Sequence, residues 1–492
     1  MDMPVFGDKP PQNPLIANPV CAGTGQPSAT CGFARNTSEV PSGNIQWSPR
    51  IGFNWDVTGN QKNQLRGGLG LFTGRPAYVW LANAFQNSGL SGVAQLTCNN
   101  AAAPRITTGN ITAPPSACAN GTTAAAGAEI NLLDKDLKFP QNMRATLGYD
   151  RQLMGGFVGT LEAMYTKGVN NLFYQNIALA GPQGVDYKGR VMYGPNPNAP
   201  VLKVTGRTAV LDVQNQSKDY SYSLTAGLAR RWRNNFEGSL FYTYSDARDV
   251  QSLTSSTANS QYQFGRPVAT LQSEPTLGYS VFRQPHRLVG QFSYAFKTKT
   301  DVTLTYVGET GAAFTYTVNG DVNGDGFNQN DPIYIPKSST DPTEIQFRNF
   351  TRAGTTTVVT AAEQAAAFDK FINSLDCLND NRGSFAPRNE CNAPWSHTIN
   401  LSLRQSLKTI GAQNVSFQLD IFNFANFLNK DWGQVNTAAF GSQNLITYRT
   451  KTTGNLNAGA IPIFNFDPNF QKWNAQNIRS NYQLQAQLRY SF

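Results

Sequence analysis

Runs of about ten residues in which apolar and polar side chains alternate one by one recur through this 492-residue chain. A strand points successive side chains to opposite faces, so each run has one apolar and one polar face. At the C-terminus Tyr482, Leu484, Ala486, Leu488, Tyr490 and Phe492 alternate with Gln483, Gln485, Gln487, Arg489 and Ser491. Val415, Phe417, Leu419 and Ile421 alternate with Ser416, Gln418 and Asp420, and Trp395, Ile399, Leu401 and Leu403 with Ser396, Thr398, Asn400 and Ser402. Upstream, Tyr220, Tyr222, Leu224, Ala226 and Leu228 form one run, and Phe236, Leu240, Tyr242 and Tyr244 another. Further runs lie near 47–57, 64–75, 142–153, 157–168, 286–297 and 301–308. The pattern predicts roughly eleven strands, with 444–451 the first place a further one would be found.

The connections alternate short and long. Short ones are Thr58–Asn63, Met154–Gly156, Arg233–Asn235, Lys297–Thr300 and Lys408–Gln413. Long ones run over 77–138, 170–215, 246–284, 309–394 and 426–479. A soluble sandwich has turns at both ends, whereas a membrane barrel has short periplasmic turns and long extracellular loops. Composition supports the second reading. Charged residues make up only 14% of the chain, against roughly 25% in soluble domains, while mean hydropathy is still −0.38. No stretch reaches the roughly 18 apolar residues of a membrane-spanning helix. The predicted fold is all-β, an antiparallel transmembrane β-barrel. Trp47, Tyr165, Trp232, Tyr244, Phe296, Trp395 and Tyr490 stand near strand ends and suit interfacial girdles.

Six cysteines fall into close pairs, Cys21 with Cys31, Cys98 with Cys118 and Cys377 with Cys391. None has the C-x-x-C spacing of a zinc or redox site. Local pairing in flexible, Gly- and Asn-rich loops predicts three disulfides in an oxidising exterior. Inside one long loop, Thr360 and Glu363 match a capping box, and Ala365, Phe368, Ile372 and Leu375 follow at helical spacing.

Specific segments resemble a known family. Ile45–Val57 with Leu65–Pro76, which includes Arg66-Gly67-Gly68-Leu69-Gly70, is similar to a hairpin of TonB-dependent outer-membrane receptors, the Oar-like branch in particular. Asp420–Asn429 resembles that family's penultimate strand. The ending Leu488-Arg489-Tyr490-Ser491-Phe492 is similar to the terminal signal read by the barrel-assembly machinery, with Leu488, Tyr490 and Phe492 as its apolar positions. The resemblance implies a 22-stranded barrel around an N-terminal plug, an extracellular ligand, and energy delivered by TonB through a short N-terminal box. Neither plug nor box is recognisable here, and an odd number of strands cannot close antiparallel. Residues 1–492 are therefore expected to be the C-terminal part of a larger barrel domain.

Candidate sites are few. Asp321, Asn323, Asp325 and Asp331 in DVNGDGFNQNDP supply the oxygen spacing that begins a calcium loop. The twelfth position, which should carry a bidentate Glu, is Pro332. A metal-free turn-rich loop is the alternative, and no other cofactor is indicated. His286 and His397 lie far apart in sequence on the apolar side, as interfacial rather than catalytic residues. Gly67-Gly68-Leu69-Gly70 has no following helix to hold a phosphate, so its glycines are expected to let the strand bend. The basic cluster Arg230, Arg231 and Arg233 sits beside a short turn and fits a periplasmic rim better than nucleic acid. No enzyme is expected. The chain reads as a transport receptor in the outer membrane of a Gram-negative bacterium, embedded in its lipid. The rival readings are a surface adhesion barrel and a secreted carbohydrate-binding β-protein.

Overall fold

The computed structural model describes residues 9–10, 12–17, 35–90, 98, 102–103, 115, 117–122, 129–204, 207–231, 235–407, 413–437 and 441–491. Eleven long strands form one antiparallel wall in strict sequence order. They are β1 (Arg50–Asp56), β2 (Asn63–Thr73), β3 (Gln141–Gln152), β4 (Phe157–Gly168), β5 (Tyr220–Arg231) and β6 (Phe236–Asp249), followed by β7 (His286–Ala295), β8 (Thr300–Glu309), β9 (Ser396–Leu407), β10 (Asn414–Phe422) and β11 (Gln483–Ser491). A two-residue strand, Gly278–Tyr279, extends the wall beside the end of β6. The first strand begins at Arg50 rather than Trp47, and the wall otherwise follows the alternation.

Register confirms the two faces. Leu224 pairs with Tyr244, Leu228 with Leu240, and Ala226 with Tyr242, so apolar side chains line up across strands. The polar rows align too: Asp420 stands between Ser402 and Gln485, and Gln418 between Arg404 and Gln487. The apolar face is left bare, with Leu161, Leu224 and Leu488 respectively 60%, 54% and 71% exposed. A water-soluble sheet would cover such a face; a sheet in lipid has no need to.

Short turns join the wall at one rim, and long segments leave the other. Those long segments build a packed body of their own. One part is a three-stranded sheet with Ala209–Gln216 between Glu129–Leu133 and Asn171–Asn176. The other is a five-stranded sheet centred on Ser442–Lys451, which pairs in parallel with Ala313–Asn319. Residues 444–451 are thus a strand, but one of the loop body and not an extra wall strand. Phe314, Tyr316, Phe368, Ile372 and Phe466 form this body's core.

The helix predicted from the capping box spans Ala361–Asn373. Thr360 Oγ1 accepts from the Glu363 amide, and the Thr360 amide donates to Glu363 Oε2 at 2.7 Å. Its apolar stripe, Phe368 and Ile372, buries into the core. Just beyond, Cys377 is bonded to Cys391, and Cys98 is bonded to Cys118. Cys21 and Cys31 lie outside the described residues, as do Arg233, Trp232 and Phe492.

The glycine run of β2 makes room for side chains of the neighbouring strand. The Phe53 ring lies where a Cβ on Gly67 would be, 2.7 Å away, and Arg50 occupies the space beside Gly70. The strand pairs without a register shift along its whole length.

Candidate functional site

Two surfaces carry chemistry: the polar face of the wall and the loop body above it. On the polar face, Arg66 of β2 crosses Gly148 of β3 to reach two carboxylates. Its Nε donates to Asp150 Oδ2 at 2.9 Å, and its Nη1 meets Glu162 Oε2 at 2.7 Å. A Cβ on Gly148 would sit 2.8 Å from the guanidinium carbon, so the missing side chain is what lets Arg66 lie flat. Thr160 donates to the other Asp150 oxygen at 2.6 Å. Further round, Gln418 Nε2 donates to both oxygens of Asp420 at 3.0 Å. Ser416, Gln418 and Asp420 of β10 stand opposite Arg489, Gln487 and Gln485 of β11, so these side chains form one polar ladder. Near the short-turn rim, Arg231, Glu237, Asp301 and Arg404 border a cavity of about 700 Å³ on this same face.

In the loop body, Asp321, Asn323, Asp325 and Asp331 come together, nearly all wholly buried. Their oxygens already accept hydrogen bonds from N–H groups. Asp321 accepts from the amides of Gly324, Gly326 and Asn198 at 2.7–2.9 Å. Asn323 Oδ1 accepts from the Asp325 amide, and Asp325 Oδ1 from that of Phe327. Asp331 Oδ2 accepts from Val322 and Asn323. Among the described residues no three acidic, His or Cys side chains stand as a metal set. The residues fit a calcium ion poorly, because N–H groups take the lone pairs it would need.

A cation is present in another form. Arg190, 2% exposed, places Nη1 3.0 Å from Asp331 Oδ1 and Nε 3.5 Å from Asp186 Oδ2. Its Nη2 donates to the Pro332 carbonyl at 2.7 Å, and its plane lies 4.6 Å from the Phe385 ring centre. Burial and the neighbouring carboxylates push Asp321 up to about 8 and Asp325 to about 7. Burial likewise raises Asp331 against the pull of Arg190. Sequence spacing pointed to this loop; nothing local pointed to Arg190, which lies 141 residues from Asp331.

Beside it the loop body holds a second cavity, of about 410 Å³, edged by Arg35, Asn176, Lys203, Asp212, Gln214 and Gln272. Arg35 bridges Asp134 and Asp212. Burial raises the Asp212 carboxyl to about 6 despite that partner. Its size lies within the range of small-ligand sites, and its rim is amide-rich with two cations. The sequence reading missed it because its residues come from five separate segments.

The two histidines do come together, though not as a reactive pair. His286 and His397 each stack on Trp395, with ring centres about 6 Å apart, and each Nδ1 bonds a tyrosine hydroxyl, Tyr242 and Tyr306 respectively. The row lies on the apolar face near the loop rim, an interfacial girdle of the kind expected. At the C-terminus, Leu488 and Tyr490 stand exposed on the same face.

A family model described as an outer membrane β-barrel domain matches residues 11–457. Among solved structures, the outer membrane transporter YddB of Escherichia coli aligns at 11% identity and a TM-score of 0.42. That alignment covers 85% of this chain and 39% of YddB. A mutant ferric enterobactin receptor PfeA of Pseudomonas aeruginosa aligns at 10% and 0.38, covering 91% and 40%. The FrpB iron transporter of Neisseria meningitidis aligns at 9% and 0.34, covering 77% and 35%. The chain thus spans about two fifths or less of these structures. A search of curated protein sequences returned no match.

Proposed function

The chain belongs to the outer membrane β-barrel domain family, and from that premise we propose that it is the wall and capture surface of a TonB-dependent transport receptor. The observation that supports this most is the pairing of a polar wall with a packed loop body that holds a polar cavity. Long loops that bury their own core can present a fixed surface to a ligand. The polar ladder below gives a hydrated path, or a surface that grips a plug through hydrogen bonds. TonB would act on that plug, outside the residues described here, and barrel-assembly machinery would read Leu488, Tyr490 and Phe492.

The wall's edges bear on its completion. β1 and β11 do not pair with each other. With eleven strands in strict antiparallel order they run the same way, so joining them would make a parallel seam. Nearly every residue of both is exposed, on both faces. Unpaired edges are not tolerated in hydrocarbon. We assign the seam to an odd number of further strands, whose two outermost members run opposite to β1 and β11.

The transport reading is tested in whole cells offered radiolabelled ferric chelates, oligosaccharides and peptides. A probe that binds should accumulate inside, and collapsing the proton-motive force with an uncoupler should stop accumulation while leaving surface binding intact. Surface binding that never leads to force-dependent accumulation would favour the adhesion reading instead.

A further inference from the structure

The loop-body cavity of about 410 Å³ is built on a strand that alternates. In Leu211-Asp212-Val213-Gln214, Leu211 and Val213 enter the core while Asp212 and Gln214 border the cavity. Gln175 pairs with Asp212 across the sheet and joins that face. Gln214 Nε2 donates to Asp212 Oδ2 at 2.7 Å and to Gln175 Oε1 at 3.4 Å. The turn at 271–273 borders the cavity too and is fixed as firmly. Arg266 donates to the carbonyls of Leu271 and Gln272, and the Gln272 amide donates to the Tyr193 hydroxyl at 2.7 Å. Gln272 Nε2 donates to Asp325 Oδ2 at 2.5 Å. Polar side chains therefore stand at set positions before any ligand arrives, which lowers the ordering cost of binding.

What these groups leave unspent sets the chemistry of the ligand. On the rim, Arg35 is already paired with Asp212. Lys203 is held beside the cavity by its amide, which donates to the Ala178 carbonyl at 2.7 Å. Its half-buried side chain has no acceptor or acid partner among the described residues. Gln175 Nε2 and the Ser273 hydroxyl likewise donate to nothing among the described residues. Ile177, Leu179 and Pro182 supply an apolar side. One unpaired cation, free amide and hydroxyl groups and a small apolar surface fit an organic acid that also carries hydroxyl or amide groups. A cationic ligand would meet Lys203 as a like charge, and a neutral one would leave it without a counter-charge.

We propose that this cavity binds a small organic acid, its carboxylate held by Lys203 and its hydroxyl or amide groups by Gln175 and Ser273. A sugar acid and the C-terminus of a short peptide share this chemistry, and the cavity lies in the size range that takes such ligands. A hydrogen bond from an ammonium to a carboxylate is stronger than one between neutral groups. Charge therefore decides which ligand is selected, and the amides decide how it lies. This assignment rests on the loop body being the capture surface.

The test is isothermal titration calorimetry of the chain extracted from outer membranes in detergent, at pH 8, where Asp212, raised to about 6, is ionised. Two matched pairs of probes are used: methyl glucuronide against methyl glucoside, and N-acetyl-dialanine against its C-terminal amide. In at least one pair the acid should bind about tenfold tighter than its neutral partner, and the pair that shows this identifies the source. Lys203→Gln should bring that preference close to one, and Lys203→Arg should keep most of it. Gln175→Ala should weaken the acid and its neutral partner alike. The preference is read first on the native chain, so it decides the matter even if a variant fails to fold. Equal binding within both pairs, no binding of either acid, or an unchanged preference in folded Lys203→Gln would each overturn the proposal. Binding of the acid in detergent without force-dependent uptake by cells would instead sink the transport reading alone.

Discussion

Arg190→Met should destabilise the loop body by about 3–5 kcal/mol at pH 8, the cost of leaving a buried charge without its partner. Methionine keeps the apolar contact with Phe385 but removes the guanidinium that meets both Asp186 and Asp331. The loss should depend on pH in a definite direction. Asp321, Asp325 and Asp331 all have folded-state values raised above the ordinary carboxylate value. A raised acid takes up a proton on folding, so its effect on stability is most favourable below the unfolded value. That benefit is lost as pH rises through the folded value. Without Arg190, Asp331 rises further. The penalty at pH 8 should therefore shrink toward pH 5, where the carboxyls can be protonated. Hydrogen exchange at Phe314, Tyr316 and Val318 across this range measures it. A penalty under about 1 kcal/mol at pH 8 would mean the pair contributes no more than a surface ion pair.

A charge on the two faces of the wall should have very different costs. Leu224→Arg places a guanidinium on the bare apolar face, near the middle of β5, and should cost about 2–4 kcal/mol. Ser223→Arg, one residue away, points to the polar face beside Ser245 and should be nearly neutral. The amount of each variant in urea-washed outer membranes gives the comparison. Equal loss from both positions would show that the two faces meet the same environment, as in a soluble sheet.

The wall was legible because its information is local. A period of two within ten residues decides which face each side chain takes, and Leu224 or Gln418 needs no distant partner to be placed. The unequal connections identified the two rims for the same reason. The loop body was not legible, because its order comes from pairs far apart. Ala313–Asn319 meets Ser442–Lys451 in parallel, and Arg190 meets Asp331, with no shared pattern in sequence. The same limit hid Arg66 beneath Asp150 and Glu162 on the polar face, 84 residues or more away. The same holds for the glycines of β2: the side chains they make room for, Phe53 and Arg50, belong to another strand. The Asp321–Asp331 spacing was visible, but whether its oxygens faced a metal or amide groups depended on turns such as the one that brings the Asn198 amide to Asp321.

The central claim is that short turns face the periplasm while the loop body stands outside the cell. A membrane-impermeant maleimide on intact cells tests it directly, with single cysteines introduced in turn at Gln61, Lys299, Asn328 and Thr355. Gln61 and Lys299 sit in short turns in left-handed backbone conformation, and Asn328 and Thr355 are exposed in the loop body. The account predicts labelling at Asn328 and Thr355 in intact cells, and at Gln61 and Lys299 only after the outer membrane is opened. Equal labelling of all four in intact cells, or the reverse pattern, would contradict it.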